Sequence, residues 1–510
     1  MKVLLLHPER DFDLKPRLPW QLSAFIDDDL ELGRLYDAMA AGDAFLLETA
    51  RKVVPLGVAD PDVIVYRQQV LADCLANRAV VQQMYDLAAA VDGVELRRKV
   101  FLGGLTSGNP VGLLRRSVRI LDLLTETLRQ LSALAGEYAD RFRSTAFRQL
   151  LTTLTEQLSD DYLAQVDEYL RELHLPRGVL LSAGLGLGNR AERHVLHQPP
   201  RRDWWARLTG NHSDGRGFVV DADDLIGAQA LTKLAGYAIN DAANTVTQVA
   251  EHIQNFFERL RTELGFYLGC VNLRDELTKH QVPTCFPVPT EIGTPRFECR
   301  DLRDVGLCLT TSKTVTGNDV EADGKTLIVI TGANEGGKST FLRSVGAAQA
   351  MMQAGMFVTA EAFSANVRDG VFTHFKRNED DTLLHGKLDE ELARMSGIVE
   401  YIGPTSLLLC NESFASTNEP EGSEIARGVA QAMVESGVRV FFVTHLYDLA
   451  HSLYARQDPA DLFLRAERRS DGARTFRLTP GKPEPTAYGE DSFRRIFGVA
   501  HTDQERVASG

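Results

Sequence analysis

Residues 329–340 of the chain read VITGANEGGKST. The segment fits G-x-x-x-x-G-K-[ST], with Gly332, Gly337, Lys338 and Ser339 at the fixed places. Before it, residues 326–330 form a short β-branched run of the kind that fills the middle of a parallel sheet. After it, FLRSVGAAQAMMQAG continues a helix predicted to begin at Ser339. Strand, loop and helix come in the order that a phosphate-gripping loop requires, which disfavours a glycine-rich turn with a chance Lys-Ser. The glycines let consecutive N–H groups converge on one anion, and the helix N-terminus adds partial positive charge. Lys338 is placed to reach the β- and γ-phosphates, and the Ser339 hydroxyl to face Mg²⁺. The ATP-binding set is therefore Gly332, Ala333, Asn334, Glu335, Gly336, Gly337, Lys338, Ser339 and Thr340, with Mg²⁺ as the implied cofactor.

Such a loop needs an acidic partner at the end of a neighbouring strand. Residues 405–410, TSLLLC, read as that strand, and it ends in Asn411-Glu412. In this geometry the first residue faces Mg²⁺ and Glu412 polarises the attacking water as general base. An aspartate is usual at the first place. Asn411 keeps an oxygen acceptor but no charge, so weaker Mg²⁺ binding or slower turnover is expected, without loss of the site. The metal-facing set is Ser339, Asn411 and Glu412. Further on, VRVFFVTHL is a second buried strand, ending at Thr444-His445. A histidine at a strand end near the γ-phosphate can sense it and orient the water. The catalytic candidates are Glu412, His445 and Lys338.

At 510 residues the length allows two to four domains, and 44% hydrophobic with 25% charged residues is ordinary for globular chains. The six cysteines are scattered, with no C-x-x-C pair, which argues against a disulfide framework or a zinc site. The apolar run at the N-terminus is too short for a signal peptide, and no run of about 18 apolar residues occurs to span a membrane. The reading is a cytoplasmic protein. The net charge of −14 gives no general pull toward nucleic acid, so DNA contact must rest on local basic clusters. The candidates are Arg97-Arg98-Lys99, Arg115-Arg116 with Arg119, and Arg201-Arg202 with Arg207.

Along the chain, a short apolar strand is expected at residues 3–6. From 21 to about 136 the apolar residues recur at helical spacing, and Asp60-Pro61 reads as a cap followed by a first-turn proline. A further helical run covers 144–174. Residues 175–223 are glycine-rich and alternating, a small β-rich tip. Helix returns from 225 to about 279. A long helix out, a tip and a long helix back is a lever-like arrangement. Prolines at 283–295 mark a crossover, and the stretch from 297 to 330 reads as a β-rich lead-in to the loop. The expected organisation is a helical region over 1–285 and an α/β P-loop NTPase domain, ABC-ATPase-like, over 286–510.

The motifs carry a family resemblance. TGANEGGKSTFLRSVGAAQAMMQAGMFVTAEAF resembles the P-loop and following helix of the MutS family of DNA mismatch-repair ATPases, where TGPN-x-GGKST and a G-x-[FY]-V-P-A-like turn are usual. LLLCNESFASTNEPEGSEIA is similar to that family's Asp-Glu strand and its Gly/Ser/Thr loop. VTHLYDLA resembles its T-H-x-x-x-L segment, and FRLTPGKPEPTAYG loosely resembles its C-terminal stretch. The helical residues 21–280 look like the family's core, lever and clamp, and RQQVLADCL at 67–75 is similar to an Arg-Gln helix of that core.

The resemblance implies a homodimer with composite ATP sites, coupled to the helical arms that clamp DNA in repair or recombination, and possible contact with other repair proteins. The helical core begins near residue 20, so a member without the N-terminal mismatch-reading and connector domains, and without full mismatch recognition, is expected; nor is a C-terminal nuclease-like extension. The Phe-x-Glu at 256–258 lies inside a helical run and reads as core-facing. Where the family presents a Ser-Thr signature loop to a partner's γ-phosphate, this chain has Gly386-Lys387-Leu388-Asp389, with Lys387 a substitute charge donor and Asp381 and Glu390 nearby. The rival reading is an ABC/SMC-like ATPase whose arms grip a protein or ribonucleoprotein.

Overall fold

In this computed structural model the described residues are 1–15, 18–91, 110–175, 180–185, 191–197, 225–376, 386–469 and 474–484. Short polar side chains that accept backbone N–H groups decide where many of the helices start. Helices α1 (Trp20–Asp29), α2 (Leu32–Ala40) and α3 (Ala44–Val53) come first. Ala41 and Gly42 both take left-handed backbone, which ends α2, and Asp43 then accepts from the Phe45 and Leu46 N–H groups at 2.7 and 3.2 Å to start α3. Helix α4 (Pro61–Ala76) begins as expected, with the Asp60 carboxylate accepting from Asp62 N–H at 2.9 Å. Helices α5 (Arg78–Ala90), α6 (Pro110–Tyr138), α7 (Thr145–Gln157) and α8 (Asp160–Leu173) follow.

Two expectations are corrected here. The run at 144–174 is two helices, because the Ser159 side chain turns to cap α8, accepting from Tyr162 N–H at 3.4 Å. The outgoing arm is therefore two short helices. The apolar run at 3–6 forms no strand. Its backbone is used by side chains instead: Leu5 N–H donates to the Glu263 carboxylate at 2.6 Å, and the Leu6 carbonyl accepts from Arg67 at 2.7 Å. Within the expected tip, strands β1 (Leu180–Leu185) and β2 (Ala191–His197) pair as an antiparallel hairpin. The remainder of 175–223, with Arg201, Arg202 and Arg207, lies outside the described residues, as do Arg97, Arg98 and Lys99. Helix α9 (Leu225–Lys279) returns over 55 residues.

The chain then alternates. Strands β3 (Val288–Thr290) and β4 (Phe297–Leu302) lead to a short helix α10 (Val305–Thr310), an interruption of the β-rich lead-in that Asp304 starts by accepting from Leu307 N–H at 2.6 Å. Strand β5 (Asn318–Glu321), strand β6 (Leu327–Gly332) and helix α11 (Lys338–Ala354) carry the glycine loop. After them come β7 (Ala362–Asn366), β8 (Val371–Phe375), α12 (Lys387–Val399), β9 (Leu407–Asn411), α13 (Glu419–Glu435), β10 (Arg439–Val443), α14 (Tyr447–Ala455), β11 (Asp461–Arg468) and β12 (Arg474–Pro480). A helical N-terminal region followed by a mixed α/β domain is thus observed. Among the described residues no helix is long and apolar enough to cross a membrane.

The chain divides into two compact units, Met1–Leu5 with Asn77–Leu264, and Leu6–Ala76 with Gly265–Gly510. A cut at 285, drawn from the proline crossover, leaves α1–α4 with the helical half, whereas their contacts place them with the α/β half. In the first unit, Leu114, Val118, Leu124 and Leu131 of α6 are buried, together with Leu150, Leu154 and Leu163 of the next two helices. Phe256 and Phe257 of α9 are buried there as well, so the Phe-x-Glu at 256–258 is core. Arg115 and Arg119 lie exposed on α6.

In the second unit a six-stranded sheet runs β12-β11-β6-β10-β9-β8, parallel except for β12, and a four-stranded sheet runs β3-β7-β4-β5. Ile328, Val329, Ile330, Leu408, Leu409, Val440 and Phe441 are fully buried, as strands covered on both faces require. Arg67 of α4 is also fully buried. Its guanidinium donates to the carbonyl of Ala354 at 3.3 Å, satisfying the last residue of α11, and lies 4.5 Å from the Phe12 ring centre. Gly355 follows with φ +82, and a Cβ there would stand 2.3 Å from the Arg67 Cβ. Gly355→Ala is expected to destabilise the fold by about 2–4 kcal/mol, from the clash and the strained φ together. The control is Gly397→Ala in α12, where a Cβ meets nothing within 4 Å; it is expected to stabilise slightly. Urea unfolding of the two variants checks this, and equal midpoints would show that the Arg67 packing is slack.

Candidate functional site

The loop that joins β6 to α11 takes its shape from three left-handed residues, Gly332 (φ +107), Glu335 (φ +57) and Gly337 (φ +88). Packing as well as backbone freedom calls for glycine. A Cβ on Gly336 would lie 2.7 Å from the Ala466 Cβ, and one on Gly332 2.9 Å from the Ala466 N. Strand β11 therefore presses on the loop from the side. Arg474, at the start of β12, donates to the Asn334 carbonyl at 3.2 Å. Spacing along the chain carries no signal for these partners; they follow from the sheet order.

Lys338 is the first residue of α11 and is buried. Its ammonium donates to the Gly332 and Ala333 carbonyls, both at 2.9 Å. Burial pushes its pKa down, Glu412 pulls it back up, and Arg474 lowers it further. Next to it, the Ser339 hydroxyl donates to Asn411 Oδ1 at 2.8 Å. Asn411 closes β9, which is not the immediate neighbour of β6: β10 stands between them, with Val443 paired to Ile330 on one side and to Asn411 on the other. The strand that ends near His445 is thus the central one of the three, a finding opposite to the order of the motifs in the chain.

Glu412 follows directly on β9, and His445 comes one residue after β10, past Thr444. The His445 Nδ1 lies 3.8 Å from Glu412 Oε2. The imidazole holds the Glu412 carboxyl below the usual carboxylate range, with Lys338 adding to the effect and burial opposing it. Glu412 itself has φ +54 and Phe414 φ +62, conformations that cost a non-glycine residue roughly 1–2 kcal/mol each. Beneath this turn lies a cluster without a counterpart in the sequence reading. His374 of β8, Ser413 and Phe414 are all buried, with the imidazole stacked on the Phe414 ring at 5.1 Å. Burial lowers the His374 pKa to about 4.

Residues 334–340, Glu412 and His445 line one cleft of about 420 Å³. A second cavity of about 320 Å³ shares Glu335, Gly337 and Thr340 with it and is walled by Val315, Phe341 and Phe476. Every residue of the candidate set so lies in the loop, in the first turn of α11, or at the carboxyl ends of β9 and β10. Lys387 and Glu390 open α12 on the surface, where Gly386 occupies the cap position, and Asp381 lies outside the described residues.

Against known families, residues 59–280 match the model of the MutS2 N-terminal domain and residues 328–489 that of MutS domain V. MutS protein homolog 4 of Homo sapiens is 26% identical over 188 residues, 36% of this chain and 20% of that protein. DNA mismatch repair protein MutS of Chloroflexus aurantiacus is 32% identical over 145 residues, 28% of this chain and 15% of that protein. The MutS of Methanococcoides burtonii is 29% identical over 220 residues, 41% of this chain and 25% of its own length. The matched part is therefore a quarter or less of these relatives. With one family model on the helical residues and a second on the residues that carry the cleft, the chain belongs to the MutS family.

Proposed function

We propose that the protein is a MutS-like DNA-binding ATPase. It binds ATP with Mg²⁺ in the 420 Å³ cleft, hydrolyses it at composite sites of a homodimer, and couples this to clamping DNA in repair or recombination. The observation that carries the reading is the convergence of Lys338, the Ser339–Asn411 pair and the Glu412–His445 pair at the carboxyl ends of parallel strands. That end of an α/β sheet is where ligands bind. Lys338 meets the β- and γ-phosphates, Glu412 takes a proton from the attacking water, and His445 orients that carboxylate. The adjoining apolar cavity beside Phe341 and Phe476 accepts the nucleoside. Lys387, exposed at the start of α12, faces the partner's nucleotide in the composite site. The six free cysteines suit the cytoplasm.

The metal-facing donors are a hydroxyl, an amide oxygen and a carboxylate, an all-oxygen set that fits a hard cation. Mg²⁺, when bound, neutralises phosphate charge. Asn411 brings no charge of its own. Asn411→Asp is therefore expected to tighten Mg²⁺ by about tenfold, read as the Mg²⁺ dependence of binding of a fluorescent ATP analogue. An unchanged dependence would place Asn411 away from the metal.

The test of the whole reading is a DNA-binding panel of mismatch, junction, single strand and duplex, with and without ATP, across a salt series. Binding with a steep loss of affinity in salt and a response to ATP is expected. ATP hydrolysis without DNA binding at low salt would instead favour an ABC/SMC-like ATPase acting on a protein or ribonucleoprotein, which the net charge of −14 suits.

A further inference from the structure

Beneath the Glu412 turn, one buried histidine touches both structures that a composite site must coordinate. His374 pairs with Cys410 in the ladder between β8 and β9, so its side chain sits beside the end of the strand that delivers Glu412. Its Nε2 lies 2.9 Å from the main-chain oxygen of Glu391, on α12. A carbonyl oxygen only accepts, so Nε2 carries the proton. The neutral ring then has a bare Nδ1, which lies 2.7 Å from the Ser413 hydroxyl oxygen. The same hydroxyl donates to the His374 main-chain oxygen at 2.7 Å, so its one proton lies between two acceptors of the same residue.

Ser413 lies between two residues with left-handed φ, Glu412 and Phe414. Neither side chain favours that backbone, so surrounding contacts must hold it. His374 supplies two of them, the bond to Ser413 and the stack on Phe414. On the other side, Arg394 of α12 donates to the carbonyls of Thr373 and Phe375, at 2.9 and 3.1 Å, the two neighbours of His374 in β8. Asp29 pairs with Arg394. Strand β8 and helix α12 are thereby fastened together around the imidazole.

We propose that His374 is a positioning residue for ATP hydrolysis: it holds the turn that aims Glu412 and ties that turn to α12, the helix that begins at Lys387. A displacement at the exposed start of α12 is then carried through the Glu391 carbonyl and the imidazole to Ser413, and so to the carboxylate. This rests on Glu412 being the general base. It adds a route by which an event at the start of α12 sets the hydrolysis rate in the same subunit.

The test compares full-length wild type, His374→Ala, His374→Asn, Ser413→Ala, the His374→Ala/Ser413→Ala double variant and Glu412→Gln. Single-turnover ATP hydrolysis, equilibrium binding of a fluorescent ATP analogue and thermal unfolding are measured on each. His374→Ala and Ser413→Ala are expected to slow hydrolysis about tenfold with nucleotide affinity within about twofold of wild type, because the base is misaimed while the phosphate loop is intact. The double variant should be no slower than the worse single one, since both remove the same link. His374→Asn, whose amide oxygen can take the Ser413 proton, should recover part of the rate. If His374→Ala fails to fold, Ser413→Ala decides, because it removes only a hydroxyl. Wild-type hydrolysis rates in the single variants, additive losses in the double one, or affinity falling in step with rate would overturn the proposal. Should Glu412→Gln hydrolyse ATP normally, the base assignment fails and the proposal with it; a slow Glu412→Gln beside a normal Ser413→Ala sinks the positioning role alone.

Discussion

Lys338→Ala is expected to lose ATP binding, with affinity falling by about 100-fold or more. In the proposed site the ammonium is the charge that meets the β- and γ-phosphates, and charge-assisted hydrogen bonds contribute roughly 1.5–3 kcal/mol each. Two such contacts account for a loss of that size. The side chain is already aimed: it is buried in the loop, held by the carbonyls of Gly332 and Ala333 at 2.9 Å. Burial lowers its pKa, and the nearby Glu412 carboxylate opposes that shift and so supports the protonated form. Equilibrium titration with a fluorescent ATP analogue, on a variant shown to be folded, reads the effect. Normal affinity would remove the loop from nucleotide binding.

Glu412→Gln is expected to bind ATP and hydrolyse it at least ~10²-fold more slowly, the size of a general-base contribution. The carboxylate is available for the task because its pKa is depressed, first by the His445 imidazole and then by Lys338. A depressed pKa means that the base form persists as pH falls, so the rate should hold down to below the ordinary glutamate value of about 4.3 and drop only there. The same sign applies to stability. The charged form is favoured by the folded state above the unfolded pKa, and that support is lost as pH falls through the lower, folded value. A pH-rate profile and single-turnover assays check both statements. An unchanged rate would move the base elsewhere, with His445 the next candidate, 3.8 Å away.

Local chemistry wrote much of this protein plainly. A β-branched run, a glycine loop and a Lys-Ser helix start each demand a particular backbone, so β6, the loop and α11 were legible to within a residue or two. The same holds for the Asp60-Pro61 start of α4 and for α9, whose limits follow from its pattern. Where the reading went astray, a single side chain had redirected the backbone. Ser159 divides one expected helix into α7 and α8, and Leu5 and Leu6 serve Glu263 and Arg67 instead of a strand partner.

Determined by the sequence alone were the strand–glycine loop–helix unit, the helical-then-α/β order, and the candidates Lys338, Ser339, Asn411, Glu412 and His445, because each depends on neighbours within a few residues. Decided only by the tertiary structure were the order β6-β10-β9, the pressure of Ala466 on the loop, the packing of Arg67 against Gly355, and the meeting of His374 with Ser413 and Glu391. Those contacts join residues far apart in the chain, and no local pattern encodes which strand lies beside which. Sheet order and side-chain packing are settled by the burial of both faces of the parallel sheet, a property of the assembled core.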